Sequence, residues 1–253
     1  MSAESEPALS AAHVSRIDDE SALRLLREGR LEVAGRLVEA TNMTLYCSVR
    51  LGDLGAACVY KPVRGERPLW DFPDGTLAAR EVAAFEVSAV TGWRIVPPTV
   101  YRDGPFGPGM CQLWIDSDRE IDLMALVRSR HPALRRMAVF DAVVNNADRK
   151  GGHLLPLPDG HVYGVDHGVC FSAEDKLRTV LWQWRNKTLP REAVNVLARL
   201  DRELENGHLG RRLRELLTPA EAAATAARVR RLLDSGVHPV PSGDWPAVPW
   251  PPI

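Results

Sequence analysis

The stretch that most constrains the fold is the segment 145–168, NNADRKGGHLLPLPDGHVYGVDHG. Its glycines and prolines interrupt any helical or strand period, so it must form irregular loops around short apolar runs. Asp148 stands at the start of the first loop, His153 follows five residues later, and Asp166 lies in a short Asp-His-Gly turn. We therefore expect two carboxylates and an imidazole to converge on one point.

Composition limits the class of protein that this chain can be. With 253 residues, of which 45% are hydrophobic, the chain can form one large domain or a two-lobed one with a substantial core. The formal net charge of -1 provides no general attraction to nucleic acid or to an anionic membrane. Neither is expected as a partner.

The sequence shows no pattern typical of export or membrane insertion. Its first residues are acidic and lack the basic and apolar regions of a secretory signal, and no run of about 18 apolar residues follows. The four cysteines form no Cys-x-x-Cys pair and fall mostly in strand-like apolar runs, the last one included: Cys47, Cys58, Cys111 and Cys170. Buried, reduced thiols and a cytoplasmic protein without stable membrane attachment are the expectation.

The order of patterns along the chain predicts a sheet followed by helices. After a short helix that begins near Asp18, residues 31–63 predict three antiparallel strands and residues 93–118 two more. Helical spacing of apolar residues occurs over residues 77–93, 119–130, 132–146, 191–204, 209–217 and 218–236. Residues 169–190, which contain Trp182 and Trp184, fit either a helix or an ordered loop.

These patterns divide the chain into four parts. We expect a flexible N-terminus over residues 1–17, a sheet lobe over residues 18–115 and a helical lobe over residues 116–236. A Pro- and Trp-rich tail over residues 237–253 either runs extended over the surface or stays free for recognition.

One lysine stands out in the predicted sheet. Lys61 is the only cation in the apolar run that ends the third strand, and Glu81 follows near the start of the next helix. A strand lysine paired with a helix glutamate is the arrangement that holds ATP phosphates in kinases. Glu86 competes with Glu81 for the role of partner. The connector that follows the sheet comprises Gln112, Leu113, Trp114 and Ile115, whose exposed backbone could hydrogen-bond an adenine edge.

Four short motifs in sequence order carry a family resemblance. Tyr-Lys-Pro, Arg-Glu-Val-Ala-Ala-Phe, Asn-Asn-Ala-Asp-Arg and Asp-His-Gly resemble the phosphatidylinositol 3-/4-kinase-like superfamily over roughly residues 30–200. Type II phosphatidylinositol 4-kinases, HipA-type toxin kinases, secretory-pathway casein kinases and a set of actinobacterial kinase-like proteins are the most similar groups. The resemblance implies an α+β, bilobal protein-kinase-like fold that uses ATP with Mg²⁺ or Mn²⁺.

The resemblance also implies roles for individual residues. Lys61 would hold the α- and β-phosphates, and Glu81 would hold Lys61. Asp148 would accept or orient the proton of the substrate hydroxyl, with Arg149 beside it as a structural or phosphate-neutralising charge. Asp166 would ligate the metal.

The sequence departs from the family pattern in two places. No glycine lies between Gly35 and Gly52, so the turn at residues 41–44 would have to contact phosphate through Asn42 and Thr44. His153 replaces the usual metal-binding asparagine, and imidazole favours softer metals than Mg²⁺. We therefore expect Mn²⁺ to support activity at least as well as Mg²⁺ and acid pH to reduce activity, unless His153 only hydrogen-bonds the loop.

Three functions remain open from the sequence. The first is a phosphotransferase that acts on a hydroxyl of an unknown, soluble protein or small-molecule acceptor. The second is a pseudokinase that binds nucleotide as a regulatory module, and the third is an enzyme that transfers AMP. The presence of Lys61, Glu81, Asp148 and Asp166 favours the first, because a module without catalysis has no physical reason to keep four charges around one cleft.

Overall fold

A five-stranded antiparallel sheet occupies the first half of the chain in this computed structural model, which describes residues 17–37 and 42–253. Its strands, in the spatial order β1-β2-β3-β5-β4, are β1 Arg30–Arg36, β2 Leu45–Leu51, β3 Leu54–Pro62, β4 Thr99–Gly104 and β5 Gly107–Leu113. Alternate residues Leu45, Cys47 and Val49 of β2 are buried, as expected for a strand with one covered face. All five predicted strands are present.

The helix α1, Asp19–Glu28, covers that face of the sheet. The Asp18 carboxylate caps it by accepting the N–H of Ser21 at 2.9 Å, and Leu25 and Leu26 are completely buried against the strands. The sheet and α1 thus share a small apolar core of their own.

The helix α2, Leu77–Thr91, links the sheet to the helical half of the chain. It is buried nearly all round, because it packs on β4 and β5 as well as on three helices of the second half. Gly92 ends it with a φ of 68°, a left-handed conformation that glycine adopts without strain. A helix buried on so many sides can place side chains between the two halves.

The second half is helical apart from one small hairpin. It comprises α3 Leu123–Arg128, α4 Pro132–Val144, α5 Arg191–Asn206, α6 His208–Leu216 and α7 Pro219–Ser235, with a hairpin of β6 Leu154–Pro156 and β7 Val162–Gly164. Thr218 and Glu221 form the predicted capping box of α7, and Gly236 ends that helix. The large apolar core lies here, among α2, α4, α5, α6 and α7.

Several sequence-based expectations need correction. The hairpin β6–β7 was not predicted, because its strands have only three residues each. Cys170 lies in a loop rather than a strand, although all four cysteines are buried and unpaired as expected. Residues 169–190 form an ordered loop with a single 3-10 turn at Trp182–Trp184. Residues 1–16 of the expected flexible N-terminus, and Thr41 of the expected turn at residues 41–44, lie outside the described residues.

The proline-rich segment, residues 237–253, runs extended over the helical half and makes backbone hydrogen bonds along its path. Its first part pairs with residues 186–189, and later residues contact the loop that follows the Asp-His-Gly turn. No helix among the described residues is long and apolar enough to cross a membrane.

The burial of His238 predicts acid sensitivity of the fold. Burial, assisted by the nearby Arg135 guanidinium, lowers the pKa of His238 to about 4, whereas an unfolded histidine has a pKa of about 6.5. Between about pH 6.5 and pH 4, His238 binds a proton in the unfolded state but not in the folded state. The free energy of unfolding therefore decreases as the pH falls below about 6.5. The linked loss at pH 5 is about 2 kcal/mol.

Urea unfolding at pH 7 and pH 5 measures this loss. His238→Gln should show a smaller fall in the free energy of unfolding between the two pH values than the wild type shows. His208→Gln, at the exposed start of α6, serves as the control and should behave like the wild type. An equal fall in all three proteins would contradict the assignment.

Candidate active site

Lys61 on β3 joins residues that are far apart in the sequence. Its Nζ lies 2.6 Å from Oε1 of Glu81 on α2 and 2.9 Å from Oδ1 of Asp166 in the Asp-His-Gly turn. Burial disfavours the charged amine, but the attraction of Asp166 and Glu81 outweighs it and raises the pKa of Lys61. The lysine predicted from the strand pattern therefore lies in a cleft between the two halves, paired with two carboxylates.

Glu81 holds both sides of this cleft. Its side chain is only 2% exposed, and while Oε1 contacts Lys61, Oε2 accepts the backbone N–H of His167 at 2.9 Å. The competing partner Glu86 instead contacts Arg212 of α6 at 3.1 Å. The geometry therefore selects Glu81 over Glu86.

Asp166 presents its carboxylate at the mouth of the cleft. It adopts a left-handed φ of 62°, which aspartate tolerates better than most residues, and its side chain is about half exposed. The charge of Lys61 holds the pKa of Asp166 well below its usual value. The group is therefore ionised at neutral pH and available as an oxygen ligand.

Asp148 lies in the loop that follows α4. The side-chain oxygen of Asn146 accepts the N–H of Asp148 at 2.9 Å, and Nζ of Lys150 lies 3.1 Å from Oδ2 of Asp148. Both charged side chains are partly exposed. Lys150 was not singled out from the sequence, although its position two residues after Asp148 places it beside that carboxylate.

Arg149 is turned away from solvent. It is completely buried, pairs with the equally buried Asp141 of α4 at 2.9 Å, and donates to the carbonyl of Val165 at 3.0 Å. It also contacts Nε2 of His167. Of the two roles considered for Arg149, this burial fits the structural one and leaves the phosphate-neutralising one without access to a ligand.

The donor set at His153 fits a metal ion only in part. Nε2 of His153 lies 3.5 Å from Oδ2 of Asp166, while Nδ1 accepts the N–H of Lys150. Burial lowers the pKa of His153, so the ring is neutral at neutral pH. No group of three or more His, Cys, Asp or Glu residues that could hold a metal occurs in the described parts of the chain. A neutral ring that accepts at Nδ1 carries its proton on Nε2, so His153 would ligate a cation beside Asp166 only in the other tautomer, which gives up the contact with the N–H of Lys150. In that tautomer, the carboxylate and the imidazole would suit a cation that shares its other ligands with substrate phosphates and water.

The predicted phosphate-contacting turn differs from expectation. Thr44 is buried, its hydroxyl donates to the carbonyl of Asn42, and it does not line the cavity at Lys61. Asn42 does line that cavity, but its side-chain oxygen already accepts the N–H of Arg67. Thr41 lies outside the described residues. Thr44 is therefore not placed to contact a ligand at Lys61 in this conformation, and its contact with phosphate stays a prediction.

The predicted adenine connector begins later than expected. Gln112 and Leu113 belong to β5, and the Gln112 side chain is buried against Thr99. The N–H groups of Leu113 and Trp114 donate to the carbonyls of Pro98 and Ala57, so they are not free for a ligand. Ile115 lies beyond the strand, where its partly exposed backbone remains a candidate contact.

The cleft is nearly closed. The cavity lined by Lys61, Glu81, Asp166 and Asn42 has a volume of about 20 Å³, which is little more than one water requires. Two cavities of about 390 and 470 Å³ lie in the helical half, away from these charges. A ligand of the size of a nucleotide would enter this cleft only if the contact between Lys61 and Asp166 opened.

Two supporting residues were missed from the sequence. Glu66 precedes α2 by eleven residues and accepts the N–H groups of Leu77 and Ala78, so it caps a helix that lacks a side-chain cap at Thr76. Asp141 looks like one polar residue in an apolar helix, and only the fold reveals its pairing with Arg149. Both depend on contacts that local patterns do not encode.

Comparisons with known proteins place the fold. No family model matches the chain. It is 44% identical to Protein Rv2133c of Mycobacterium tuberculosis (strain ATCC 25618 / H37Rv), in a match that covers 92% of this chain and 95% of that protein. Such identity over nearly the whole of both chains indicates common descent and a shared fold.

Two solved structures are similar in fold. The golgi casein kinase has a TM-score of 0.55 and 15% identity, over 87% of this chain and 76% of that chain. The Helicobacter pylori proinflammatory kinase CtkA has a TM-score of 0.51 and 10% identity, over 84% of this chain and 94% of that chain. These similarities confirm the predicted kinase-like fold, and the relation to phosphatidylinositol kinases stays a prediction.

The buried pair of Arg149 and Asp141 makes a prediction about stability. Asp141→Asn removes the countercharge of a completely buried guanidinium, which costs about 3–5 kcal/mol of unfolding free energy. Asp148→Asn is the matched control, because that carboxylate is partly exposed, and it should cost less than about 1 kcal/mol. Urea denaturation followed by circular dichroism measures both, and equal losses would contradict the structural role of Asp141.

Proposed function

The chain belongs to the same family as Protein Rv2133c of Mycobacterium tuberculosis, and we propose that it is an ATP-dependent phosphotransferase acting on a hydroxyl group. The observation that carries this proposal is the contact of Lys61 with both Glu81 and Asp166 in one cleft. Together with a kinase-like fold, this contact supports a site built to neutralise and orient phosphate charge.

In the proposed reaction the bond between the γ-phosphorus and its bridging oxygen breaks, and ADP leaves. The acceptor oxygen bonds to phosphorus, and its proton passes to the carboxylate of Asp148. Lys61 would hold the phosphates, and Glu81 would keep Lys61 in position. Lys150 would add a positive charge next to Asp148. Positioning and charge neutralisation supply most of the rate in such transfers.

We propose that a divalent cation is held by Asp166 and His153 and neutralises the charge of the phosphates. This pair offers too few ligands to retain a cation alone, so the cation binds together with the nucleotide. The four free, buried cysteines fit a reducing compartment, and we propose that the protein acts in the cytoplasm.

A second candidate is a nucleotide-binding module without turnover. The nearly closed cavity and the buried Thr44 favour it, since both reduce the contacts available to a triphosphate. The AMP-transfer alternative uses the same cleft with the nucleotide reversed, and the mass added to an acceptor distinguishes it from phosphate transfer.

The proposal predicts the effect of removing either charge in the cleft. Lys61→Met and Asp166→Ala should each reduce formation of ADP from ATP by at least about 100-fold, which corresponds to about 2.7 kcal/mol of transition-state stabilisation. Lys187→Met, an exposed lysine in the helical half, is the matched control and should keep the wild-type rate. Wild-type rates in either cleft variant would exclude the proposed chemistry, and nucleotide binding without ADP formation in the wild type would favour the module.

A second prediction concerns the metal. In the wild type Mn²⁺ should support ADP formation at least as well as Mg²⁺, and His153→Asn should lower the ratio of the Mn²⁺ to the Mg²⁺ rate, because imidazole favours the softer ion. Electron paramagnetic resonance of Mn²⁺ should show binding that depends on added ATP. His161→Asn is the control, since that ring contacts the carbonyl of Arg94 rather than Asp166. An unchanged ratio in His153→Asn would remove His153 from the ligand set.

A further inference from the structure

The extended backbone of residues 178–180 forms hydrogen bonds with Arg149, the residue that follows Asp148. The N–H of Arg149 donates to the carbonyl of Arg178 at 3.0 Å, and the N–H of Val180 donates to the carbonyl of Arg149 at 3.1 Å. Residues 178–180 therefore run alongside the residue that follows the proposed catalytic carboxylate. An extended polypeptide that brings a hydroxyl to Asp148 would bind along this backbone by adding a strand.

The proline-rich segment already accepts hydrogen bonds from two backbone N–H groups on this surface. The N–H of Thr179 donates to the carbonyl of Ala247 at 3.0 Å, and the N–H of Gly151 donates to the carbonyl of Pro252 at 2.8 Å. Gly151 lies three residues after Asp148 and is buried beneath Ile253. The segment thus spans from the flanking backbone to the proposed catalytic loop.

Side chains hold the segment in this position. Nε1 of Trp182 donates to the carbonyl of Ala247 at 2.8 Å. Trp245 stacks on Trp70 of the sheet half with 5.9 Å between ring centroids. Nζ of the buried Lys176 lies 4.6 Å from the ring centroid of Trp245. These contacts fix the segment to both halves of the molecule, and its prolines reduce the conformational entropy lost on docking.

The part of the segment that follows Ser242 offers no hydroxyl to accept a phosphoryl group. Residues 243–253, Gly-Asp-Trp-Pro-Ala-Val-Pro-Trp-Pro-Pro-Ile, contain no serine, threonine or tyrosine. A phosphoryl group delivered at Asp148 finds no hydroxyl in the polypeptide that lies beside it. Residues 243–253 could therefore line the site of an acceptor but could not be phosphorylated themselves.

We propose that residues 245–252 form a fixed wall that excludes extended polypeptides, so that the acceptor is a small hydroxyl-bearing molecule. This inference rests on the proposed phosphotransferase function and narrows its acceptor from any hydroxyl compound to a small one. A small molecule reaches Asp148 without needing the backbone groups of Thr179 and Gly151, which the wall already uses.

Loosening the wall tests the proposal in the full chain. The double variant Trp182→Phe and Trp245→Ala removes one hydrogen bond, one ring stack and one cation–π contact from the segment. Val240→Ala, whose side chain is 58% exposed in the same segment but outside residues 245–252, is the control. Dephosphorylated casein with labelled ATP is the probe for a polypeptide acceptor, and hydrogen exchange at the Gly151 amide reports whether the wall has opened.

The wild type and Val240→Ala should label casein only at background, while the double variant labels it at least about tenfold faster and exchanges the Gly151 amide faster. Equal labelling of casein by the wild type and the double variant overturns the proposal. Absence of labelling despite faster exchange overturns it too, because the wall is then not what excludes polypeptides. Unchanged exchange in the double variant overturns the assigned anchoring contacts.

Failure of the underlying function has a different signature. If the wild type forms no more ADP than Lys61→Met does, then the phosphotransferase proposal fails. Hydrogen exchange at Gly151 needs no turnover, so it still reports on the wall in that case. ADP formation thus tests the phosphotransferase function, and casein labelling tests the class of acceptor.

Discussion

The arrangement of this molecule depends on the burial of one carboxylate, that of Glu81. A carboxylate that is only 2% exposed is costly unless each oxygen has a partner, and here Lys61 and the N–H of His167 supply them. Glu81 lies on α2, and its two partners come from the sheet and from the Asp-His-Gly turn. The requirement to satisfy one side chain therefore fixes three elements relative to each other. The neighbouring Arg80 extends this link, since it contacts the carbonyl of Cys170 and the carboxylate of Glu221 on α7.

A second layer of buried charge supports the loop that carries Asp148. Arg149 bonds Asp141, the carbonyl of Val165 and His167, so the start of the loop and the Asp-His-Gly turn share one guanidinium. Burial and the charge of Arg149 keep the pKa of His167 well below its usual value, and the neutral ring can accept a hydrogen bond from Arg149. The partly exposed carboxylates of Asp148 and Asp166 are therefore supported by a layer of charged side chains that are buried from solvent. A layer of this kind restricts motion at the site more than apolar packing does, because each lost contact leaves a buried charge unpaired.

The local sequence pattern predicted the helices and strands whose apolar residues recur at a clear period. It also predicted the charged residues that interrupt such a period. Lys61 was visible because it breaks an apolar strand, Glu81 because it opens an apolar helix, and Asp166 because it lies in a glycine turn. Asp141 and Glu66 were not visible, since a buried polar group is defined by a partner that only the fold brings near. The length of β5 was also misjudged: the pairing of Gln112 with Val59 and Thr99 extends the strand into the residues expected to form a connector. Whether the proline-rich segment stays free or docks likewise depends on Trp182 and Lys176, which lie more than sixty residues before the residues that they contact, Ala247 and Trp245.

The closed cleft has a consequence for the order of events in the proposed reaction. Asp166 is half exposed, so water can reach its carboxylate, whereas the carboxylate of Glu81 is shielded from water. In the proposed reaction, opening of the cleft would therefore break the contact of Lys61 with Asp166 and keep its contact with Glu81. In the proposed reaction, phosphate oxygens would replace Asp166 as the partner of Lys61, and a cation would replace Lys61 as the partner of Asp166, so neither charge would be left unpaired. A nucleotide without its cation would satisfy only Lys61, and a cation without the nucleotide would satisfy only Asp166. The proposed function therefore implies that the two ligands bind cooperatively, because either ligand alone would have to overcome the cost of separating Lys61 from Asp166, which both together would share.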